Sequence, residues 1–132
     1  MPNQEAQAIT ASAAPRPIGP YSQAVLADGW LYCSGQISLE PSTGKMVGNG
    51  DVGAETHQVF KNLVAVLTEA GASLKQVVRT TVFLVDLADF RIVNEIYADM
   101  FKVGVSPARA CVQVAALPNG AKVEIDCVAW LG

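Results

Sequence analysis

The chain has 132 residues, of which 51% are hydrophobic and 16% are charged, and its formal net charge is −3 at pH 7. This length predicts one domain that is large enough to bury a hydrophobic core. The excess of apolar residues favours an oligomer in which part of the surface is covered by another subunit. The lack of a run of ~20 apolar residues argues against a membrane span, and the lack of a basic stripe argues against a nucleic-acid partner. Three cysteines without paired spacing favour a reducing, cytoplasmic location.

The N-terminal segment, residues 1–14, is rich in Ala, Gln, Ser and Thr. We expect this segment to be disordered or frayed, and we expect residues 15–132 to form a single domain. The domain starts with an extended lead-in, because Pro15, Pro17 and Pro20 preclude a helix there.

A hairpin is predicted at Asp28-Gly29, which separates the apolar runs 21–27 and 30–36. In a two-residue turn Ala27 faces Trp30, and the alternation of side chains then puts four polar-capable groups on one face: Tyr21, Gln23, Ser34 and Gln36. A solvent-facing side of a sheet explains this cluster as well as a functional surface does.

A helix is predicted after Asp51, which can cap its first turn, and Gly71 is the expected stop. Its apolar side chains recur at helical spacing and form one stripe: Val59, Phe60, Leu63, Val66, Leu67 and Ala70. His57, the only histidine, lies on this helix without a second metal ligand or an acid motif. An ordinary surface position is therefore favoured over a catalytic one.

The β-branched run 77–85 predicts a central strand, parallel to the strand before the helix because a crossover joins them. A second helix is expected from Asp89 to near Gly104. Asn94 interrupts the apolar stripe of this helix. Either it finds hydrogen-bond partners in the interior or it lies at the edge of the stripe.

The last two strands are predicted on either side of Asn119-Gly120, a hairpin signal. We expect the apolar positions of both to face the core: Ala110, Val112, Val114 and Ala116 of the first, and Val123, Ile125, Cys127 and Ala129 of the second. Arg109 and Cys111 then share the opposite face. In this register Arg109 faces Trp130 and lies about 20 Å from Glu124, so a small ligand reaches both only in a site between subunits.

The predicted order is β-β-α-β-α-β-β, an α+β single domain with a mixed sheet and two helices on one face. A phosphate loop, a dinucleotide fingerprint, metal-ligand spacing and a Gly-x-Ser-x-Gly elbow are all missing, so these site types are dismissed. Arg109 suits a carboxylate and Glu124 can activate water, which suggests addition of water to a small carboxylate-bearing substrate. A salt-bridge or interface role is the more common one for such an arginine.

Five segments together resemble one family. They are Ile18-Gly19-Pro20-Tyr21-Ser22-Gln23-Ala24, Ser34-Gly35-Gln36, Val93-Asn94-Glu95-Ile96-Tyr97, Pro107-Ala108-Arg109-Ala110-Cys111-Val112, and Leu117-Pro118 with Val123-Glu124-Ile125. The chain resembles the RidA family of reactive-intermediate deaminases, also called YjgF, over residues 15–131. Two residues depart from the family pattern, because Ala110 and Cys33 replace hydroxyl residues that are common there. The loop 102–106 is also shorter than in some members, and we expect this difference to change the rim of the cleft.

The resemblance implies a chorismate-mutase-like fold and a homotrimer with clefts between subunits. It implies hydrolysis of 2-aminoacrylate and its tautomer 2-iminopropanoate to pyruvate and ammonia, without a cofactor. Arg109 would bind the substrate carboxylate and Glu124 would activate the attacking water. The cleft would be lined by Tyr21, Ser34, Gly35, Asn94 and Cys111, the last as a pocket thiol and not as a nucleophile, because imine hydrolysis needs none.

Three other functions stay open at this point. The first is a non-catalytic module on the same fold that binds a small ligand or a protein. The second is an endoribonuclease or translation inhibitor, a role attributed to some relatives, against which the acidic charge argues. The third is a deaminase specialised for one catabolic pathway, since family members share the cleft and differ at its rim.

Overall fold

A computed structural model of the protein describes residues 5–132. Its α-helices are α1 (Val52–Glu69) and α2 (Phe90–Met100), and its strands are β1 (Gln7–Ile9), β2 (Ala24–Ala27), β3 (Trp30–Gln36), β4 (Val77–Leu84), β5 (Ala108–Gln113) and β6 (Val123–Trp130). Over this range, no helix is long and apolar enough to cross a membrane.

The strands form one sheet in the order β1-β2-β3-β6-β4-β5. β4 and β5 run parallel, and every other neighbouring pair runs antiparallel. β3 and β4 therefore run in the same direction, as the crossover through α1 predicts, with β6 between them. Both helices pack on one face, where α1 touches β3 and β6 and Tyr97 of α2 is hydrogen-bonded to Thr80 of β4. The predicted α+β fold, with a mixed sheet and two helices on one face, is confirmed.

The β2–β3 hairpin has the predicted turn. Asp28 and Gly29 take φ of 52° and 81°, the left-handed pair that a two-residue turn requires. Ala27 pairs with Trp30 as expected. Gln23, which we predicted to share one face with Tyr21, Ser34 and Gln36, is buried, at 3% exposure.

α1 begins and ends where its sequence predicts. The Asp51 side chain accepts hydrogen bonds from the amides of Gly53 and Ala54, which satisfies two donors that the helix itself leaves open. Gly71 follows the helix with φ of 79°. The predicted stripe is buried against the sheet, with Val59, Phe60, Leu63, Val66 and Leu67 each no more than 1% exposed.

The predicted β5–β6 hairpin is wrong, because β4 lies between the two strands. Residues 118–120 form a 3₁₀ turn within a longer connection instead of a two-residue hairpin loop. β5 continues along β4, and the amide of Val114 donates to the carbonyl of Leu84. Parallel pairing with β4 therefore replaces the antiparallel pairing with β6 that the Asn-Gly signal indicated.

The assignment of the two faces of β5 is also reversed. Arg109 pairs with Thr80 of β4. The Thr80 side chain is fully buried beneath α2. Arg109 and Cys111 thus lie on the helix face of the sheet, and Ala110 and Val112 lie on the opposite one. Alternation alone gave the wrong face, because the more apolar side of β5 is turned away from the helices, with Val112 41% exposed. On β6 the expected core face, formed by Val123, Ile125, Cys127 and Ala129, is correct.

A one-residue bulge interrupts β3. Cys33 pairs with Cys127 and Gln36 pairs with Ile125, so β3 uses three steps where β6 uses two. The extra residue shifts the alternation, because successive side chains point to opposite faces. Gln36 therefore turns toward the core and is 7% exposed, instead of sharing a face with Ser34 as we predicted.

The N-terminal segment is more ordered than predicted over its described part. Residues 7–9 pair with β2 as an edge strand, and Ala11 and Ala14 are buried in the core. The expectation of a frayed segment over 1–14 is thus wrong for these residues, and residues 1–4 lie outside the described range.

The sheet face away from the helices, which we call the open face, is rich in large apolar side chains. Trp30, Tyr32, Val112 and Trp130 are each at least 39% exposed. Trp30 and Trp130 lie side by side, with ring centroids 6.2 Å apart. An apolar surface of this kind is typical of a contact with another protein surface.

Candidate active site

Six of the seven expected site residues line two separate cavities within one chain, and Cys111 lines neither. We call one the glutamate cavity, after Glu124, and the other the arginine cavity, after Arg109. Glu124 of β6 pairs with Phe83 of β4, whereas Arg109 of β5 pairs with Thr80. These two β4 positions are offset by three residues, and an odd offset along a strand means that Arg109 and Glu124 lie on opposite faces of the sheet.

The glutamate cavity has a volume of about 330 Å³. Its polar wall comes from the bulged end of β3 and from β6, and its remaining walls are largely apolar. The lining includes four of the expected site residues, Tyr21, Ser34, Gly35 and Glu124, together with Pro15, Arg16, Pro17 and Ile18 of the N-terminal segment. The sequence analysis did not anticipate that N-terminal wall.

Glu124 lies directly against Gly35 at the bulge. A Cβ atom added at Gly35 would be 2.1 Å from Oε2 of Glu124 and 2.8 Å from its Cδ. Only glycine leaves room for the carboxyl group in this position. The bulge and the glycine together bring the carboxyl group close to the β3 backbone at the cavity wall.

The environment of Glu124 favours the protonated form of its side chain. Burial raises the pKa of the carboxyl group above its ordinary value, and the negative charge of Asp126 adds to the shift. Asp126 follows two residues later on the same face of β6 and accepts a hydrogen bond from the Thr81 amide at 3.1 Å. A carboxylate with a raised pKa is a stronger base once ionised, which suits removal of a proton from water.

The hydroxyl groups of Ser34 and Tyr21 are each held by one hydrogen bond to the backbone. The Ser34 hydroxyl donates to the Ser22 carbonyl at 2.6 Å, which joins β3 to the chain before β2. The Tyr21 hydroxyl accepts from the Ile18 amide at 3.3 Å. Both side chains therefore hold cavity walls in addition to lining them.

The arginine cavity has a volume of about 530 Å³ and lies between α2, the following loop and the start of β5. Nη1 of Arg109 donates to Oδ1 of Asn94 at 2.8 Å. This contact explains the polar residue in the apolar stripe of α2, because Asn94 orients the guanidinium group. The other donors of Arg109 stay available for a bidentate contact with a carboxylate.

Two aromatic rings support the guanidinium group. The Cζ atom of Arg109 lies 4.7 Å from the Tyr97 ring centroid and 5.5 Å from that of Phe90. The Tyr97 hydroxyl is in turn 2.7 Å from the Thr80 hydroxyl, so the ring is held in place. Helical spacing predicted that Asn94 interrupts the apolar stripe of α2, but it did not identify Phe90 and Tyr97 as a cation–π platform for Arg109.

Cys111 lies near Arg109 on the same face of β5 and packs partly against the core. Burial raises the pKa of its thiol, and the charge of Arg109 opposes this shift only in part. The protonated thiol is a poor nucleophile. Cys111 lines neither cavity within one chain, so its expected place in the cleft stays a prediction.

His57 is exposed on α1 and lines neither of the two cavities. Among residues 5–132, no group of three or more His, Cys, Asp or Glu side chains is arranged to hold a metal ion. The described chain therefore offers a half-buried carboxyl group in one cavity and an oriented guanidinium group in the other.

Comparisons with known proteins agree with one another. The family model of endoribonuclease L-PSP matches residues 11–131. A human protein named 2-iminobutanoate/2-iminopropanoate deaminase is 51% identical over 124 residues, which cover 94% of this chain and 89% of that protein. A RutC family protein of Synechocystis is 51% identical over 123 residues, or 93% and 95% of the two chains.

The fold likeness is equally extensive. The crystal structure of YyfA from Yersinia pestis, a Rid-family protein of unknown function, is 46% identical and superposes with a TM-score of 0.93. The match covers 96% of this chain and 99% of the other. The resemblance inferred from the five sequence segments is confirmed.

Proposed function

Because this chain belongs to the endoribonuclease L-PSP family, also called RidA or YjgF, we propose that it hydrolyses 2-imino acids. Its substrates would include 2-iminopropanoate, the tautomer of 2-aminoacrylate, and its products would be a 2-oxo acid and ammonia. The relatives named deaminases support a general deaminase role. The observation that carries the specific proposal is Glu124, a half-buried carboxyl group with a raised pKa at the wall of a cavity.

Arg109 would bind the substrate carboxylate. Its guanidinium group is oriented by Asn94 on one side and by the Tyr97 ring on another. A carboxylate held by two parallel N–H donors is fixed in direction as well as position. The imine carbon would then present a defined face to water, with Cys111 as a neighbouring wall.

Glu124 would accept a proton from water as the oxygen attacks the imine carbon. The C=N double bond becomes a single bond, and the nitrogen takes up a proton, which gives a carbinolamine. The protonated amine then leaves as ammonia while the hydroxyl group loses its proton and the C=O bond forms. The reaction consumes one water molecule and needs neither a redox step nor a covalent enzyme intermediate.

A homotrimer would bring the two cavities together. Within one chain Arg109 and Glu124 lie on opposite faces, on strands separated by β4. The apolar open face around Tyr32 and Trp130 supports contact with further copies of the chain. Each cleft between subunits would then take Arg109, Asn94 and Cys111 from one copy and Tyr21, Ser34, Gly35 and Glu124 from its neighbour. A cytoplasmic location stays a prediction from the sequence.

The test is turnover of freshly generated 2-aminoacrylate, followed by release of ammonia and pyruvate. We expect Arg109→Ala and Glu124→Gln each to lower kcat/KM by about 100-fold or more. Arg91→Ala and Glu69→Gln are matched controls, since both residues are exposed on helices and line neither cavity. Equal rates for wild type, Arg109→Ala and Glu124→Gln would refute the proposal.

The alternative functions predict other results in the same assay. A non-catalytic binding module would give no imine turnover above the uncatalysed rate, whether or not Glu124 is replaced. An endoribonuclease would cleave single-stranded RNA and bind it with a strong dependence on salt.

A further inference from the structure

Gln23 is a buried amide that anchors the chain segment forming one wall of the glutamate cavity. Its Oε1 accepts a hydrogen bond from the Ala11 amide at 2.6 Å. Its Nε2 donates to the carbonyl of Pro15 at 2.8 Å and to that of Ala11 at 3.2 Å. A weaker contact of 3.5 Å reaches the carbonyl of Ala14. The side chain is 3% exposed and directs these hydrogen bonds to one segment, and it also borders the glutamate cavity.

The anchored segment, residues 11–18, is called the strap. Pro15 and Pro17 have no N–H group, so the strap cannot join the sheet through a regular ladder. Its buried carbonyls still need donors, since an unpaired backbone carbonyl in the interior is costly. The Gln23 amide supplies both a donor and an acceptor, which a β-strand neighbour would otherwise supply.

The strap is also part of the glutamate cavity. Pro15, Arg16, Pro17 and Ile18 line it on one side, and Gly35 and Glu124 line it on another. Beyond Gln23, the strap has a second attachment where the Ile18 amide donates to the Tyr21 hydroxyl. That bond lies at the exposed end, whereas the Gln23 bonds lie at the buried end. Ala11 and Ala14 also pack in the core, and Gln23 supplies the side-chain hydrogen bonds that fix the buried end of this wall.

We propose that Gln23 is a positioning residue for substrate binding, which acts by holding the strap against the glutamate cavity. Gln23 itself does not take part in the chemistry. Loss of its side-chain hydrogen bonds would let the strap move away from the cavity and weaken binding of substrate. Glu124 would keep its place, because β6 and Gly35 hold it independently of the strap. This inference rests on the proposed imine deaminase function.

The test replaces Gln23 by Met, which keeps the length of the side chain and removes its hydrogen bonds. We expect KM for 2-iminopropanoate to rise about tenfold while kcat stays within about threefold of wild type. The control for general destabilisation is Val66→Ala, in a fully buried position of α1 that does not line the cavity. That control should leave KM unchanged.

Amide hydrogen exchange supplies a measurement that does not depend on turnover. We expect exchange of the Ala11 amide to become at least about tenfold faster in Gln23→Met. The Ser34 amide donates to the backbone carbonyl of Gln23 at 3.0 Å, so its protection should persist. Gln23→Glu retains the acceptor for Ala11, and because burial among carbonyl groups favours its protonated form, it keeps one O–H donor in place of two N–H donors. It should therefore show slow Ala11 exchange and an intermediate KM. If Gln23→Met does not fold, the Gln23→Glu variant tests the positioning role in its place.

Two results overturn the positioning role. One is an unchanged Ala11 exchange rate in Gln23→Met, and the other is faster exchange with an unchanged KM. A rise in KM that Val66→Ala reproduces would also overturn it, because general loosening would then explain the effect. If the wild type deaminates no imine, the proposed function fails. The anchoring of the strap is then decided by the Ala11 exchange rate alone.

Discussion

Gly35 and Glu124 are in contact across β3 and β6, so closely that a Cβ atom on Gly35 would lie 2.1 Å from the glutamate Oε2. The atom in the way is the end of a flexible side chain, so the fold can respond by moving the carboxyl group. We therefore expect Gly35→Ala to cost only about 1 kcal/mol of stability but to lower kcat/KM about 100-fold. Thermal unfolding and imine turnover measure the two effects.

Gly53→Ala on α1 is the matched control for Gly35→Ala. Its added Cβ would meet Asp51 at 3.3 Å and Ile92 at 3.5 Å, well away from the cavity. We expect wild-type kcat/KM from this variant. Full activity in Gly35→Ala would show that the position of the Glu124 carboxyl group does not limit the reaction.

Asp126 tunes the acidity of Glu124. Burial is the larger cause of the raised pKa and the Asp126 charge the smaller one. In Asp126→Asn the amide oxygen can still accept from Thr81, so only the charge is lost and the pKa of Glu124 falls. In the proposed mechanism the ionised form of Glu124 is the active one, so activity should disappear as the pH drops through that pKa. The acid limb of the kcat/KM profile should therefore move to lower pH.

Asp28→Asn serves as the control for the pH profile, because Asp28 lies in the exposed hairpin turn. Its acid limb should coincide with that of the wild type. An acid limb that stays in place or moves upward in Asp126→Asn would mean that Glu124 is not the base seen in the profile.

Tyr97 has two roles that a pair of variants can separate. Tyr97→Phe keeps the ring below Arg109 and removes the 2.7 Å contact with Thr80. It should cost about 1–2 kcal/mol in chemical denaturation, because the fully buried Thr80 hydroxyl loses its partner. Tyr97→Leu also removes the cation–π contact and should raise KM about threefold. A KM that is the same in both variants would argue against a role of the ring in substrate binding.

Mixing two inactive variants tests whether clefts are shared between subunits. Arg109→Ala and Glu124→Gln chains, unfolded together and refolded in equal amounts, should form clefts that combine an intact Arg109 with an intact Glu124. Random assembly makes about one quarter of all clefts complete, so about one quarter of wild-type activity should return. Each variant refolded alone is the control and should stay inactive. No recovery in the mixture would show that one chain supplies both groups.

The sequence predicted the local elements well and the long-range pairing of the last two strands poorly. Caps and turns depend on residues close together in the sequence, so they can be predicted locally. The structure has the expected ones at Asp51, Asp28-Gly29 and Gly71. The pairing of β5 depends on which strand occupies the space beside it. Nothing in its alternation distinguishes β4 from β6 as a partner, and the Asn119-Gly120 signal indicated the wrong one.

The two-cavity arrangement was only partly predictable for the same reason. The sequence analysis expected Arg109 and Glu124 to be too far apart within one chain, but it placed them along one face of a hairpin. They are separated instead by the thickness of the sheet and by β4. The contact of Asn94 with Arg109 and the wall built by residues 15–18 both join parts of the chain distant in sequence, which local patterns do not encode.

The bulge of β3 restricts how the length of this chain can change. Removal of one residue between Cys33 and Gln36 would leave Gln36 opposite Ile125 in the core but would abolish the bulge, so a single residue would replace Ser34 and Gly35 and the close approach of Gly35 to Glu124 would be lost. The exposed loop after α2 can gain or lose residues without such a loss, because neither end sets the alternation of a strand. Insertions and deletions in descendants of this chain should therefore accumulate in that loop and spare the middle of β3.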